Sequence, residues 1–155
     1  VPKLEDYAWR LWDYWERHLD PDLFIDRSLR GKVEGKVVLI TGGSAGIGLA
    51  AALKIAEAGA KVVICARGEE ELYKARDEIR AKGGICHAYT ADLTDLASCD
   101  ELIKTIQTEV GPVDILINNA GRSIRRSIEL SFDRFHDFER TMQLNYFGSL
   151  RLIMG

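Results

Sequence analysis

The sequence predicts an α/β chain, a doubly wound parallel sheet of about four strands with a helical arm in front of it. Three observations lead there. Short apolar runs at residues 37–40, 62–65, 85–89 and 113–117 are largely continuous rather than alternating, as strands buried on both faces are. Stretches of helical period separate them, so strand and helix take turns along the chain. Glycines close the intervening helices at Gly59, Gly83-Gly84 and Gly111.

Taken in order, residues 4–19 read as an amphipathic helix. Leu4, Ala8, Leu11, Trp12, Trp15 and Leu19 recur at steps of three and four, with Glu5, Asp6, Arg10, Asp13, Glu16 and Arg17 between them. Asp20-Pro21 ends it, because the residue before a proline is pushed out of helical angles. All three tryptophans fall in this stretch, so the helix is expected to dock on its own domain, a preceding domain or a neighbouring subunit. Both charge signs on its polar face argue against a membrane-surface anchor. A polar connector ending in Gly31 and Gly35 completes an arm over residues 1–35, and the sheet domain is expected over 36–155. There the first strand leads through a glycine-rich turn to a helix at 47–58. The second strand leads to a charged helix at 69–82, and the third to a helix at 96–110. Gly111-Pro112 breaks that helix before the fourth strand. Further helical stretches are expected after Ser131, a candidate N-cap, and again from about Arg140.

Composition excludes several classes. A chain of 155 residues suits one domain with a real core, and 46% hydrophobic with 29% charged residues is ordinary for a globular protein. A formal charge of −3 gives no electrostatic case for nucleic acid or an anionic membrane surface. No apolar run approaches the roughly 20 residues a spanning helix needs. Val1-Pro2-Lys3 has neither an initiator Met nor a secretion-signal layout, so sequence upstream is expected. Cys65, Cys86 and Cys99 are odd in number and widely spaced, which argues against a disulfide framework or zinc site and for a reducing, cytoplasmic setting. Cys65 and Cys86 read as small buried residues. His18, His87 and His136 lack metal-ligand spacing.

The most informative stretch is Thr41-Gly42-Gly43-Ser44-Ala45-Gly46-Ile47-Gly48, lying between a strand and a helix. Gly42 suits a tight turn, Gly46 leaves room for a pyrophosphate against the main chain, and Gly48 lets helix and strand pack closely. The free amides and dipole of the helix start hold negative charge. This is the layout of a Rossmann-type dinucleotide site. Some 20 residues on, an NAD-binding unit wants an acid for the ribose hydroxyls, whereas an Arg accommodates a 2′-phosphate. The second strand ends Ile64-Cys65-Ala66-Arg67 with no carboxylate, so the expected cofactor is NADP(H), with Glu69 and Glu70 left to cap the next helix.

The Thr41-Gly-x-x-x-Gly46-x-Gly48 spacing resembles the short-chain dehydrogenase/reductase family. Asp92-Leu93, Asn118-Asn119-Ala120-Gly121 and Asn145 in Gln143-Leu144-Asn145-Tyr146-Phe147-Gly148 match the same pattern in order. The resemblance implies that Thr41, Ser44 and Ile47 help frame the phosphates and that Asp92 meets the adenine amino group beside Leu93. It implies that Asn119, Ala120 and Gly121 line the path from ribose to nicotinamide, with Asn118 bracing the sheet. Asn145 matches the family's catalytic asparagine, which holds a water in the proton relay. Its Ser and its Tyr-x-x-x-Lys are expected beyond Gly155, since neither Tyr89 nor Tyr146 has a Lys four residues on. These residues alone are therefore expected to be inactive. Many NADP-preferring members carry a basic residue where this chain has Ala45, leaving the 2′-phosphate to Arg67 and Ser44.

The arm Tyr14-Trp15-Glu16-Arg17-His18-Leu19-Asp20-Pro21, followed by Gly31-Lys32-Val33-Glu34-Gly35-Lys36, is similar to the junction before the second reductase half of bacterial two-domain fatty acyl-CoA reductases. The stretches 122–127 and 133–140 are similar to that group too. The resemblance implies carbonyl reduction on a lipid-like substrate, fatty acyl-CoA or fatty aldehyde, by a homo-oligomer or a chain docked on a preceding domain. A ketone reductase acting on a steroid-like or long-chain-base substrate, or a non-catalytic nucleotide-binding module, stays open beside it. Arg122, Arg125 and Arg126 are candidate contacts for the phosphates of a CoA thioester, or solvated surface residues.

Overall fold

Successive side chains of a strand point to opposite faces, so an uninterrupted apolar run needs a core on each side. Strand β1 (Val37–Thr41) meets that demand. Val38 and Ile40 enter one core while Val37 and Leu39 enter the other. Strand β2 (Lys61–Ala66) repeats the division, with Val62 and Ile64 on the first side and Val63 and Cys65 on the second. The computed structural model describes residues 10–14 and 28–155, in two units that divide after Lys32.

In the first unit residues 10–14 are helical, as the periodicity predicts, and Leu11, Trp12 and Tyr14 are exposed. The rest of the helix expected over 4–19, with Trp9 and Trp15, lies outside the described residues. A short helix α1 (Leu29–Val33) follows. Val33, placed in the connector by sequence, is buried in the core of the second unit.

The second unit carries a four-stranded, all-parallel sheet in the order β3-β2-β1-β4, with β3 at Ile85–Thr90 and β4 at Ile115–Ile117. Helices α2 (Gly46–Glu57) and α3 (Glu69–Ala81) cover one face through Ala52, Ile55, Ala56, Leu72, Ala75 and Ile79. Helix α4 (Leu96–Glu109) covers the other through Cys99, Leu102 and Ile106. All three cysteines are free and buried, Cys99 included.

Beyond α1, which forms inside the expected connector, two later elements differ from expectation. The fourth strand begins at Ile115, because Asp114 is occupied at the sheet edge: its amide donates to Val37 O and its carboxylate accepts from Val37 N. Ser131 caps no helix. It closes a 3-10 turn (Ile128–Ser131), with its hydroxyl donating to Ser127 O, and Arg134 takes the N-cap position of α5 (Phe135–Met142). From there the chain stays helical through a π-turn (Gln143–Gly148) into α6 (Ser149–Met154). Among the described residues no helix is long and apolar enough to cross a membrane.

Candidate nucleotide-binding site

After β3 the chain returns past β1 to form β4, so the carboxyl ends of β1 and β4 flank the point where strand order reverses. Crevices of this kind are where open parallel sheets bind ligands. The turn after β1 is shaped for one. Gly42 sits at φ 65°, and Gly46 at φ 56° with open space where a Cβ would stand. A Cβ on Gly48 would lie 2.2 Å from Gly42 O, so the helix start packs on the turn backbone.

The opening of α2 lacks a side-chain cap. Ala45 occupies the N-cap position and the first helical bond runs from Leu49 N to Ala45 O, leaving the preceding amides without an intrahelical acceptor. By contrast α4 is capped by Asp95, which accepts from the amides of Ala97 and Ser98. The positive end of α2 is thus available to an anion.

A clamp holds this turn against β4. Thr41 is fully buried, and its hydroxyl accepts from the amides of Asn119 (3.0 Å) and Ala120 (2.9 Å). The Asn119 carboxamide donates to Thr41 O (3.0 Å) and Gly42 O (3.1 Å). Asn119 therefore does the bracing expected of Asn118, which is exposed.

Over the turn lies a cavity of about 500 Å³. Of the residues singled out from sequence, Gly42, Ser44, Arg67, Leu93, Asn119, Ala120 and Gly121 line it. Thr41, Gly46, Ile47, Gly48, Asp92 and Asn145 do not. Thr41 and Gly48 act from beneath as packing and hydrogen-bonding parts of the turn. Ile47 is 83% exposed at the helix start. Asp92 accepts from the Thr94 amide and hydroxyl, which hold its carboxyl below the ordinary range, with Arg67 adding to the effect.

Asn145 stands on the π-turn, and its carboxamide pairs with the backbone of Arg122. Oδ1 accepts from Arg122 N at 2.9 Å and Nδ2 donates to Arg122 O at 2.8 Å. The other tyrosine and cysteine chemistry nearby is quiet. Tyr89 donates to Glu109, and burial with that bond pushes its hydroxyl up to about 12. Burial pushes the Cys65 thiol up to about 12 as well. No group of His, Cys, Asp and Glu among the described residues could hold a metal ion.

Sequence reasoning missed four parts of the site. Glu71, four residues after Arg67, puts a carboxylate on the same cavity wall, and Leu144 lines it from the π-turn. A Cβ on Gly43 would fall 2.5 Å from the Ile64 side chain, so the turn lies flat on β2. A Cβ on Gly148 would fall 2.2 Å from Leu93 O, which seats the π-turn on the loop after β3. The Gly42-Gly43 doublet was the available signal for Gly43, and the four-residue spacing was that for Glu71. Arg126, a candidate phosphate contact, is instead paired with buried Asp137 at 2.9 Å, together with Arg134 at 2.8 Å.

Residues 36–154 match the family model described as short chain dehydrogenase. The chain is 53% identical over 131 residues to a fatty acyl-CoA reductase of Acinetobacter baylyi, covering 84% of this chain and 44% of that protein. It superposes on L-sorbose reductase from Gluconobacter frateurii, solved with NADPH and L-sorbose, with TM-score 0.74 and 31% identity over 79% of this chain and 46% of that one. It superposes equally on an NAD+-bound xylitol dehydrogenase, with TM-score 0.73 and 31% identity over 79% and 47% of the two chains. The chain spans less than half the length of curated relatives it matches.

Proposed function

This chain belongs to the short-chain dehydrogenase family, and from that membership we propose that it is the NADP(H)-binding part of a reductase acting on a fatty acyl-CoA or fatty aldehyde carbonyl. The observation that carries the reading is the cradle at the β1 end. It joins an uncapped helix start, a turn that only glycines can form at Gly42 and Gly48, and an arginine at the cavity wall. A pyrophosphate fits the open amides of α2, and the space at Gly46 admits it to the backbone. Arg67 has no ion pair among the described residues and is left to meet a 2′-phosphate. Leu93 offers an apolar wall to the adenine, while Ala120 and Gly121 line the way toward the nicotinamide. The similarity to the Acinetobacter fatty acyl-CoA reductase supports the substrate class.

When bound, the reduced nicotinamide supplies the hydride for carbonyl reduction. The protein's part is to orient it. Thr41 and Asn119 fix the floor, and Asn145 fixes the segment after Gly121 through Arg122. The carboxamide of Asn145 keeps one acceptor and one donor capacity beyond those bonds, enough to hold a water for proton relay. No Tyr in the chain is followed by a Lys four residues on.

Oxidation of NADPH by the full-length protein, followed by absorbance, tests the substrate. A long-chain acyl-CoA or fatty aldehyde is expected to turn over at least about tenfold faster, by kcat/KM, than a steroid-like ketone. The reverse order overturns the lipid assignment. These 155 residues alone are expected to bind NADPH without oxidising it.

A further inference from the structure

Next to the nucleotide cavity, and sharing Arg67, Gly121 and Leu144 with it, opens a second cavity of about 670 Å³. Three arginines line it, each from a different element: Arg67 at the end of β2, Arg122 after Gly121, and Arg140 on α5. One carboxylate, Glu139, faces them, with Thr94 and Gln143 as neutral polar neighbours.

The lining residues of this cleft carry more positive than negative charge. Elsewhere in the same unit Arg76 pairs with Asp77, Arg126 and Arg134 with Asp137, and Arg151 with Asp100. Arg67, Arg122 and Arg140 have no ion pair among the described residues. The backbone of Arg122 is also held in place, since Asn145 bonds its amide and carbonyl. Three arginines on the wall of one cavity with a single carboxylate among its lining residues give it a positive potential, which favours an anion there.

We infer that Arg67, Arg122 and Arg140 form a cleft for the ribose phosphomonoester of an adenine nucleotide. A phosphomonoester brings close to two negative charges and three acceptor oxygens, which suits several guanidinium forks at once. A lone carboxylate carries one charge and would leave the cleft cationic. The inference rests on the proposed function for the adenosine lying beside Arg67. It extends that reading by giving Arg122 and Arg140 a shared ligand and by releasing Arg125 and Arg126 from that task. Two nucleotides carry such a phosphate, the 2′-phosphorylated dinucleotide and coenzyme A.

Calorimetric titration of the full chain with NADPH, NADH, coenzyme A and dephospho-coenzyme A separates the sources. The R122A/R140A variant is expected to lose about tenfold or more in affinity for a phosphorylated ligand that the wild type prefers over its dephosphorylated partner. The partner should stay within about twofold on the same scale. R122K/R140K should recover part of the loss, and R125A, an exposed arginine off the cleft, should behave as wild type. A loss on NADPH identifies the cofactor as the source, and a loss on coenzyme A identifies the substrate carrier. Equal losses within each pair, no loss in either, or no preference by the wild type for any phosphorylated ligand overturns the cleft. If the wild type binds neither dinucleotide, the functional proposal falls, and the coenzyme A pair decides the cleft by itself.

Discussion

Single atoms decide the shape of the phosphate turn. The Cβ that alanine would bring to Gly48 meets the Gly42 carbonyl, which belongs to backbone and has little room to yield. Gly48→Ala is therefore expected to destabilise the fold by about 1–3 kcal/mol in denaturant titration and to weaken nucleotide binding with it. Gly46→Ala is the informative contrast. Its new methyl meets nothing within 4 Å, so the expected effect is the left-handed strain of about 1 kcal/mol. Similar losses for the two variants would contradict the packing role given to Gly48. Glu71 acts at the same scale. Its carboxylate shares the cavity wall with Arg67, so Glu71→Gln should tighten NADPH more than NADH, read as the ratio of dissociation constants.

At the level of elements, two small clamps hold the loop after β4 to the helical stretch from α5 to α6, and one of them titrates. Asp137 is buried between Arg126 and Arg134, and the hydrogen bond from Arg134, with Arg126 assisting, lowers its carboxyl to about 2. A carboxylate with a depressed folded-state pKa stabilises the fold above its ordinary titration range and loses that contribution as pH falls through the folded value. The stability gap between wild type and Asp137→Asn should be full above about pH 4 and should shrink toward pH 2. A gap independent of pH would show that the ion pairs contribute nothing. The second clamp, Asn145 on Arg122, predicts faster amide hydrogen exchange at Arg122 in Asn145→Ala. Helices and strands up to β4 were legible because periodicity and glycine stops carry local information, as at Gly59, Gly83 and Gly111, all of which have positive φ. Ser131 misled because a serine's preference for N-caps says nothing about which residue the tertiary contacts select. Asn119 was legible as a site residue but not as a clamp, since its partner Thr41 lies 78 residues away in sequence. Arg126 could not be told from Arg122 by sequence, because Asp137, which neutralises it, is brought near by the fold.

For the whole molecule, the sheet ends at β4, whose three residues are only half-buried. Ile128, Leu130, Phe132 and Phe135 are also largely exposed. A strand edge with no neighbouring strand among the described residues, and such apolar surface, favour association, so the isolated 155 residues are expected to sediment as oligomers or aggregate as concentration rises. A monodisperse monomer across that range would contradict this. Binding at the β1 end should stabilise the fold by about 2.7 kcal/mol at a ligand concentration 100 times the dissociation constant, visible as a raised Tm. We propose that the turn from Thr41 to Gly48, with Arg67 at the cavity wall, holds a phosphorylated nicotinamide dinucleotide. Calorimetric titration of wild type and Arg67→Ala with NADPH and NADH tests it most directly. The wild type should prefer NADPH by about tenfold or more, and the variant should lose that preference while still binding NADH. Equal wild-type affinities, or a preference that survives the loss of Arg67, would contradict it.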